Sequence, residues 1–314
     1  MHGRVLLILG ASGLTGFKVM LLAKKKYETY GTYNMRLSSS PDNSLRRLDI
    51  TKHDDVKSLF REIRPDIVVN TAALHNVDYC ETHKEEAFNV NANAVGIIAD
   101  LCNQLGSRLI HISTDFVFDG KKGYYSEEDP PNPLNTYAKS KLEGEMKAKT
   151  CSSFTILRTS VIYGWSPLEI ESLSSSSGKP INFALWAILR MKNGNTLTIV
   201  NDQFSSPTLA DTLAYVIIRV AAEESNTLYH VSGNSCISRY EFTKKIAELT
   251  GHSIERIQAI ETRSFTQLAK RPANSCLNCN RVQEKLQFKL PDIDQSLAVF
   301  RSQLELECPS LIAN

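Results

Sequence analysis

The chain begins with a strand, a turn and a helix that together leave few choices of fold. Arg4-Val-Leu-Leu-Ile-Leu9 is a continuous apolar run ending at Gly10, the pattern of a strand buried on both faces of a parallel sheet. Gly10-Ala-Ser-Gly13-Leu-Thr-Gly16 follows at once and opens a helix expected to reach about Lys26. A GxxGxxG on its own is weak evidence, because any tight strand-to-helix turn favours glycine. After an amino-terminal apolar strand it has a mechanism. Gly10 permits the turn, Gly13 lets the backbone approach a pyrophosphate, and Gly16 allows close helix packing, while the helix amino terminus offers unpaired N–H groups and a positive dipole. Ser12, Leu14 and Thr15 share this cradle, which is the expected dinucleotide site.

The alternation then repeats. Strands are expected near Thr29–Tyr33, Asp66–Asn70, Arg108–Ser113 and Phe154–Arg158, and helices over His53–Ile63, Lys84–Leu105 and Asn135–Lys149. Strands separated by helices of this length specify right-handed βαβ units, hence an α/β fold with a Rossmann-type doubly wound parallel sheet. Beyond Tyr163 the rhythm breaks at a Ser-rich stretch, Ser166–Pro180, expected to be a poorly ordered surface insertion. Helices near Asn182–Met191, Ala210–Ala222, Ser238–Thr250 and Pro291–Leu304 follow, with short strands at Thr196–Ile199 and Thr227–Val231. Residues 1–163 therefore read as a dinucleotide-binding core. Residues 164–314 read mainly as a smaller substrate-binding lobe, with some segments returning to the core.

Composition narrows the function classes. With 36 Lys and Arg scattered among 34 acidic residues and a formal charge of +2, no basic stripe exists for a nucleic-acid partner. No apolar run approaches the roughly 18 residues of a membrane span, so a cytoplasmic location is expected. Seven cysteines, an odd number spread over several contexts, point to reduced thiols. Cys276 and Cys279 form one CxxC without a second ligand pair, so they read as packing residues and no metal site is expected.

An NAD enzyme of this fold usually carries an acid at the end of its second strand. Here the segment reads Gly31-Thr-Tyr-Asn-Met-Arg36, and Arg36 suits a 2′-phosphate, which favours NADP(H) with NAD(H) as second choice. A solvated loop arginine is the plain alternative. Asp49-Ile50 lies where the chain passes the adenine, and Asn70-Thr-Ala72-Ala73 ends a strand with small residues that let a cofactor lie against the backbone.

Tyr137-Ala-Lys-Ser-Lys141 is a YxxxK on an expected helix, with the phenol and the ammonium on one face. A nearby lysine favours the phenolate, so Tyr137 is suited to exchange a proton with a carbonyl oxygen. Alone, YxxxK is common on surface helices. The preceding strand, however, ends in His111-Ile-Ser-Thr114 and delivers hydroxyls to the carboxyl edge of the sheet, where open α/β folds bind ligands. Thr114 is positioned to hold a substrate oxygen toward Tyr137.

Taken together these residues resemble the extended short-chain dehydrogenase/reductase superfamily, and within it the dTDP-4-dehydrorhamnose reductase family. The likeness runs through Arg64-Pro-Asp-Ile-Val-Val-Asn-Thr-Ala-Ala73, Val77-Asp78, Asn89-Val-Asn91, Ser113-Thr-Asp-Phe-Val-Phe-Asp-Gly120, Pro133-Leu-Asn-Thr-Tyr137, Arg158-Thr-Ser160, Asp202-Gln203, Pro207-Thr208 and Arg271-Pro272. It implies Thr114, Tyr137 and Lys141 as catalytic triad, with Lys141 and Tyr137 also on the nicotinamide ribose and Asn91 near the cofactor. It implies reduction of the 4-keto group of a nucleotide-linked 6-deoxyhexulose, with Val77, Asp78, Trp165, Gln203 and Arg271 toward that substrate. For Arg271 a structural salt bridge is the competing role. Dehydratases of similar sequence carry Asp-Glu after the Thr; here Asp115 is followed by Phe116, which points to simple carbonyl reduction.

Two other readings stand beside it. The regulatory β subunit of methionine adenosyltransferase resembles the same reductases, and Tyr229-His-Val-Ser-Gly233, Ser238-Arg-Tyr-Glu241 and Arg271-Pro-Ala-Asn274 fit it. On that reading the partner is the catalytic subunit of the transferase. A nucleotide-sugar epimerase is the third. The resemblance also leaves a homodimer open, without ligands that map a metal to its interface.

Overall fold

A computed structural model of the chain describes residues 3–34, 45–167, 182–224, 226–264 and 266–313. The first half alternates as β1 (Val5–Leu9), α1 (Leu14–Ala23), β2 (Glu28–Tyr33), β3 (Leu45–Arg47), α2 (His53–Ile63), β4 (Ile67–Asn70), α3 (Val77–Thr82), α4 (Lys84–Phe88), α5 (Ala94–Leu105), β5 (Arg108–Thr114), α6 (Thr136–Ala148) and β6 (Phe154–Thr159). The second half adds β7 (Ile162–Tyr163), α7 (Phe183–Lys192), β8 (Leu197–Val200), β9 (Phe204–Ser205), β10 (Thr208–Leu209), α8 (Ala210–Val220), β11 (Thr227–His230), β12 (Ile237–Ser238), α9 (Arg239–Thr250), β13 (Ile257–Ile260), α10 (Asn280–Leu286) and α11 (Ile293–Glu307).

Seven strands pair in parallel in the order β11-β6-β5-β4-β1-β2-β3. The chain winds outward from β1 through β2 and β3, then returns to β4 on the other side of β1. The reversal opens a crevice at the carboxyl ends of β1 and β4. Alternation along each strand divides the core. Leu6, Ile8, Ile67, Val69, Ile110 and Ile112 face α1 and α8, while Leu7, Leu9, Val68, Leu109 and Ile156 face α2 and α5. Both faces are apolar because both are covered, which is why β4 and β5 are buried along their whole length. A second apolar cluster joins Tyr163 and Trp165 to α7, α9 and α11. Residues beyond 163 also return to the large sheet, through β11, and to its face, through α8.

Three sequence readings are corrected. The helix expected over Lys84–Leu105 is interrupted by a π turn at Asn89–Asn93. Asn91 there accepts from the Leu74 N–H at 2.9 Å and donates to the Leu74 carbonyl and Ser140 Oγ. These bonds draw the turn against α6, where a Cβ on Gly144 would stand 2.1 Å from the Asn91 carbonyl oxygen. The cysteines are not all reduced: Cys236 and Cys276 form a disulfide with Cα atoms 5.5 Å apart. Pairing of β12 with β9, and the Phe204–Asn274 bridge, bring the two segments together. Cys279 is a free thiol 3.2 Å from Ser232 Oγ. Finally, strand β13 and helix α10 arise where the pattern was not read. Most of Ser166–Pro180 lies outside the described residues.

Because α6 carries the YxxxK, its approach to the π turn is a constraint on the site. Gly144→Ala should destabilise the fold by about 1–3 kcal/mol through overpacking, measured as a lower urea midpoint. An unchanged midpoint would show that the contact is slack.

Candidate active site

The glycine turn has the shape its spacing requires. Gly10 adopts φ +85°, and a Cβ there would lie 2.9 Å from the Ala72 amide nitrogen. A Cβ on Gly16 would strike the Gly10 carbonyl at 2.3 Å, so the first turn of α1 packs directly on the loop. No side chain caps α1 at Gly13 and no acid stands in its first turn. Gly13 is exposed and Ser12, Leu14 and Thr15 are half-buried, leaving the amino terminus open to an anion. Ala72 and Ala73 leave β4 beside it, with the Ala72 N–H held by the Asn70 side chain at 3.2 Å. Asp49 closes a local turn onto Thr51, at 3.0 and 2.7 Å, and Ile50 is buried. Arg36 lies outside the described residues.

Two strands away, the end of β5 is held by buried polar groups. Ser113 Oγ donates to Glu145 at 2.5 Å, and Arg158 meets the same carboxylate at 2.8 and 2.7 Å. Arg158 also lies over the Phe118 ring, 5.1 Å from its centroid. Asp115, on the next turn, accepts from Ser275 Oγ at 2.5 Å, Ser160 Oγ at 2.7 Å and Thr114 Oγ1 at 3.2 Å. Burial raises the Asp115 carboxyl above its ordinary range, and the three hydroxyls oppose that shift.

Thr114, at the end of β5, and Tyr137 come together here, with the Thr114 hydroxyl beside the phenol. Burial pushes the phenol well up; Thr114 opposes the shift and the Asp115 charge adds to it. Lys141 is buried one helical turn on. Its ammonium donates to the Ile112 carbonyl at 2.6 Å and lies 3.4 Å from His111 Nε2. Desolvation lowers Lys141 to about 8, and Glu145 opposes it. His111 is kept neutral by burial and by that ammonium. The lysine is directed to the β5 backbone, and burial disfavours the Tyr137 anion.

A cavity of about 220 Å³ opens beside Phe116, whose ring meets Tyr137 edge-on at 6.2 Å between centroids. Gln203, Arg271, Arg239, Phe183 and Trp186 also line it. Gln203 is anchored by donating to Thr262 Oγ1 and Gln267 Oε1, both at 3.0 Å. Arg271 pairs with Asp78 at 2.7 and 3.0 Å, and the guanidinium holds the Asp78 carboxyl below its usual range. The two expected substrate residues therefore bind each other, while Arg271 keeps a face on the cavity. Val77 begins the half-buried helix α3 that carries Asp78.

Two expected site residues are displaced. Trp165 is 3% exposed and packs in the second apolar cluster, not among the described cavity residues. Asn91 uses its amide within the protein, as above, so it shapes the site from behind. The sequence reading missed Arg239, Phe183, Trp186 and Ser275 as neighbours of the site. Ser238-Arg-Tyr-Glu241 was noticed as a motif, but nothing local shows that the β12–β9 pair aims its arginine inward.

Residues 4–305 match the family described as RmlD substrate binding domain. The chain belongs to the dTDP-4-dehydrorhamnose reductase family. It is 32% identical to the dTDP-4-dehydrorhamnose reductase of Aggregatibacter actinomycetemcomitans, over 96% of this chain and 99% of that one. A probable low-salt glycan biosynthesis reductase of Haloferax volcanii is 31% identical over 94% of this chain and 96% of its own. Among solved structures, the Bacillus anthracis family member crystallised in complex with NADP has a TM-score of 0.84 at 30% identity, covering 96% of this chain and all of that one. A UDP-glucose 4-epimerase of Thermotoga maritima, 18% identical with a TM-score of 0.81, shares the fold.

In this family member, Glu145 neutralises a buried arginine directly behind the strand end. Glu145→Ala should cost about 3–5 kcal/mol by leaving the Arg158 charge uncompensated, read as a fall in unfolding free energy. A loss under about 1 kcal/mol, the range of an exposed pair, would contradict that role.

Proposed function

We propose that this chain is an NADP(H)-dependent reductase of the 4-keto group of a dTDP-linked 6-deoxyhexulose, forming dTDP-L-rhamnose. The observation that carries the reading is the convergence of Thr114, Tyr137 and the buried Lys141 at the carboxyl end of β5, with the Tyr137 ring against Phe116 and the Lys141 ammonium on the Ile112 carbonyl. That edge adjoins the glycine cradle through β4 and β1.

The cradle fits the cofactor on structural grounds, since the backbone approach at Gly10 and Gly16 leaves no room for side chains and the α1 amides lack a cap. Gly10, Ser12, Gly13, Leu14, Thr15 and Gly16 would hold the pyrophosphate, Asp49 and Ile50 the adenosine, Ala72 and Ala73 the middle of the molecule. Lys141 and Tyr137 would hold the nicotinamide ribose, and Arg36 the 2′-phosphate. Bound there, the cofactor supplies the hydride.

Thr114 directs the substrate carbonyl oxygen toward the phenol. Tyr137, neutral because burial disfavours its anion, donates the proton that the reduced oxygen requires. Lys141 lies with its charge behind the phenol and favours the tyrosinate left after donation. Phe116 occupies the place beside Tyr137 where a second carboxylate would be needed for water elimination, so the product keeps its oxygen. The lobe beyond residue 163 supplies Gln203 and Arg271 to the nucleotide sugar, across from Val77 and Asp78. Among the described residues no helix is long and apolar enough to cross a membrane; a cytoplasmic homodimer is the setting we propose. Nothing in the site geometry or the relatives above favours the regulatory-subunit reading over catalysis.

NADPH absorbance should fall on adding dTDP-4-dehydro-6-deoxy-L-lyxo-hexose, faster than NADH does in parallel. Tyr137→Phe should retain NADPH binding and lose roughly 10²–10⁴-fold in kcat. Tight NADPH binding by the wild type without oxidation would overturn the reductase reading, and an unimpaired Tyr137→Phe would remove Tyr137 from the chemistry.

A further inference from the structure

One cation facing the cavity has no anionic partner among the described residues. Arg239 opens α9, and its backbone N–H donates to the Gln203 carbonyl at 3.1 Å. Ser238, paired with Phe204 across β12 and β9, caps the helix by accepting from the Glu241 N–H at 3.1 Å. The residue is thus fixed at both ends of its backbone unit. Its guanidinium lies over the Phe183 ring, 4.7 Å from the centroid, and lines the cavity. Among the described residues no carboxylate or carbonyl accepts from it. The nearest acid in charge terms is Asp115, whose oxygens are already taken by Ser275, Ser160 and Thr114. Arg271, by contrast, is paired with the Asp78 carboxylate through two hydrogen bonds.

Placing a guanidinium in a desolvated wall without an anion is unfavourable, and burial with the nearby Arg271 charge lowers Arg239 to about 10. At neutral pH it is still fully charged. The arrangement becomes favourable when an anion enters the cavity, because the desolvation has already been met by the fold. A planar fork held on an aromatic face is suited to phosphate oxygens. The cavity also offers Phe116 and Trp186 as flat apolar surface, which matches a ligand that carries a base or sugar next to its charge.

We propose that Arg239 is the principal anchor for the diphosphate of the nucleotide-sugar substrate, held by Phe183, with the Asp78-bound Arg271 contributing from the side. The proposal deepens the reductase reading and rests on it for the identity of the sugar, but not for the diphosphate. Arg239 thereby sets the preference for nucleotide-linked over free sugars, while the proton transfer stays with Tyr137.

The test is calorimetric binding of dTDP and of thymidine to the full chain, wild type against Arg239→Gln and Arg239→Lys, with NADPH affinity as a folding control. The expected result is a loss of at least tenfold in dTDP affinity for Arg239→Gln, partial recovery in Arg239→Lys, and equal NADPH binding throughout. Thymidine, which has no phosphate, should bind the wild type and Arg239→Gln alike. In turnover, KM for the sugar nucleotide should rise by a larger factor than kcat falls. If wild type and Arg239→Gln bind dTDP equally, or if the wild type does not bind dTDP, the proposal is overturned. Arg239-dependent dTDP binding without turnover of the 4-keto sugar would sink the reductase reading and leave the diphosphate anchor standing.

Discussion

The structure depends on how the carboxyl end of β5 is held. Seven consecutive buried residues there finish in two hydroxyls, Ser113 and Thr114, and the buried carboxylate of Asp115 follows at once. Polar groups at such depth are tolerated only when each finds a partner. Ser113 finds Glu145, itself neutralised by Arg158, and Asp115 finds Ser160 and Ser275. These partners come from α6, β6 and the segment after β13, so one strand end ties the sheet to the carboxyl-terminal third. An apolar core would be as stable at that point. The polar one fixes where Thr114 points, at the expense of burying an ion pair.

The chemistry follows from the same burial. A tyrosine in this wall is disfavoured as an anion, and a lysine in it is lowered toward neutrality. Both shifts have desolvation as their leading cause, yet they act in complementary ways. In the mechanism we propose, the phenol arrives protonated and gives its proton, the ammonium stabilises the result, and Phe116 stands where elimination would need a second carboxylate. On that proposal, reduction without elimination is a property of the packing around Tyr137 as much as of Tyr137 itself.

Much of this is legible in the residues. The apolar run to Leu9, the glycine spacing and the hydroxyls after His111 specify β1, the cradle and the strand end, because each is set by neighbours in the chain. What the residues hide is set across the chain. The π turn at Asn89–Asn93 depends on Gly144, more than fifty residues away, admitting the Asn91 carbonyl. Cys276 has a nearer cysteine in sequence, Cys279, yet pairs with Cys236 because β12 crosses to β9. Trp165 lies on the sequence path toward the cavity but turns into the apolar cluster under α7. Arg239 follows a serine cap and looks like any first-turn arginine until the sheet pairing turns it inward. The placement of Tyr137 and Lys141 on one helix beside the end of β5 belongs to the legible part, although the direction of the Lys141 ammonium does not.

In the proposed reaction the carbon that receives hydride is the one bearing the oxygen held between Thr114 and Tyr137. The most direct measurement supplies NADPH deuterated at the transferring position of the nicotinamide, with dTDP-4-dehydro-6-deoxy-L-lyxo-hexose, and locates the label in the product by NMR. Deuterium is expected at C4 of the hexose and nowhere else. An unlabelled product, or label at another carbon, would contradict it.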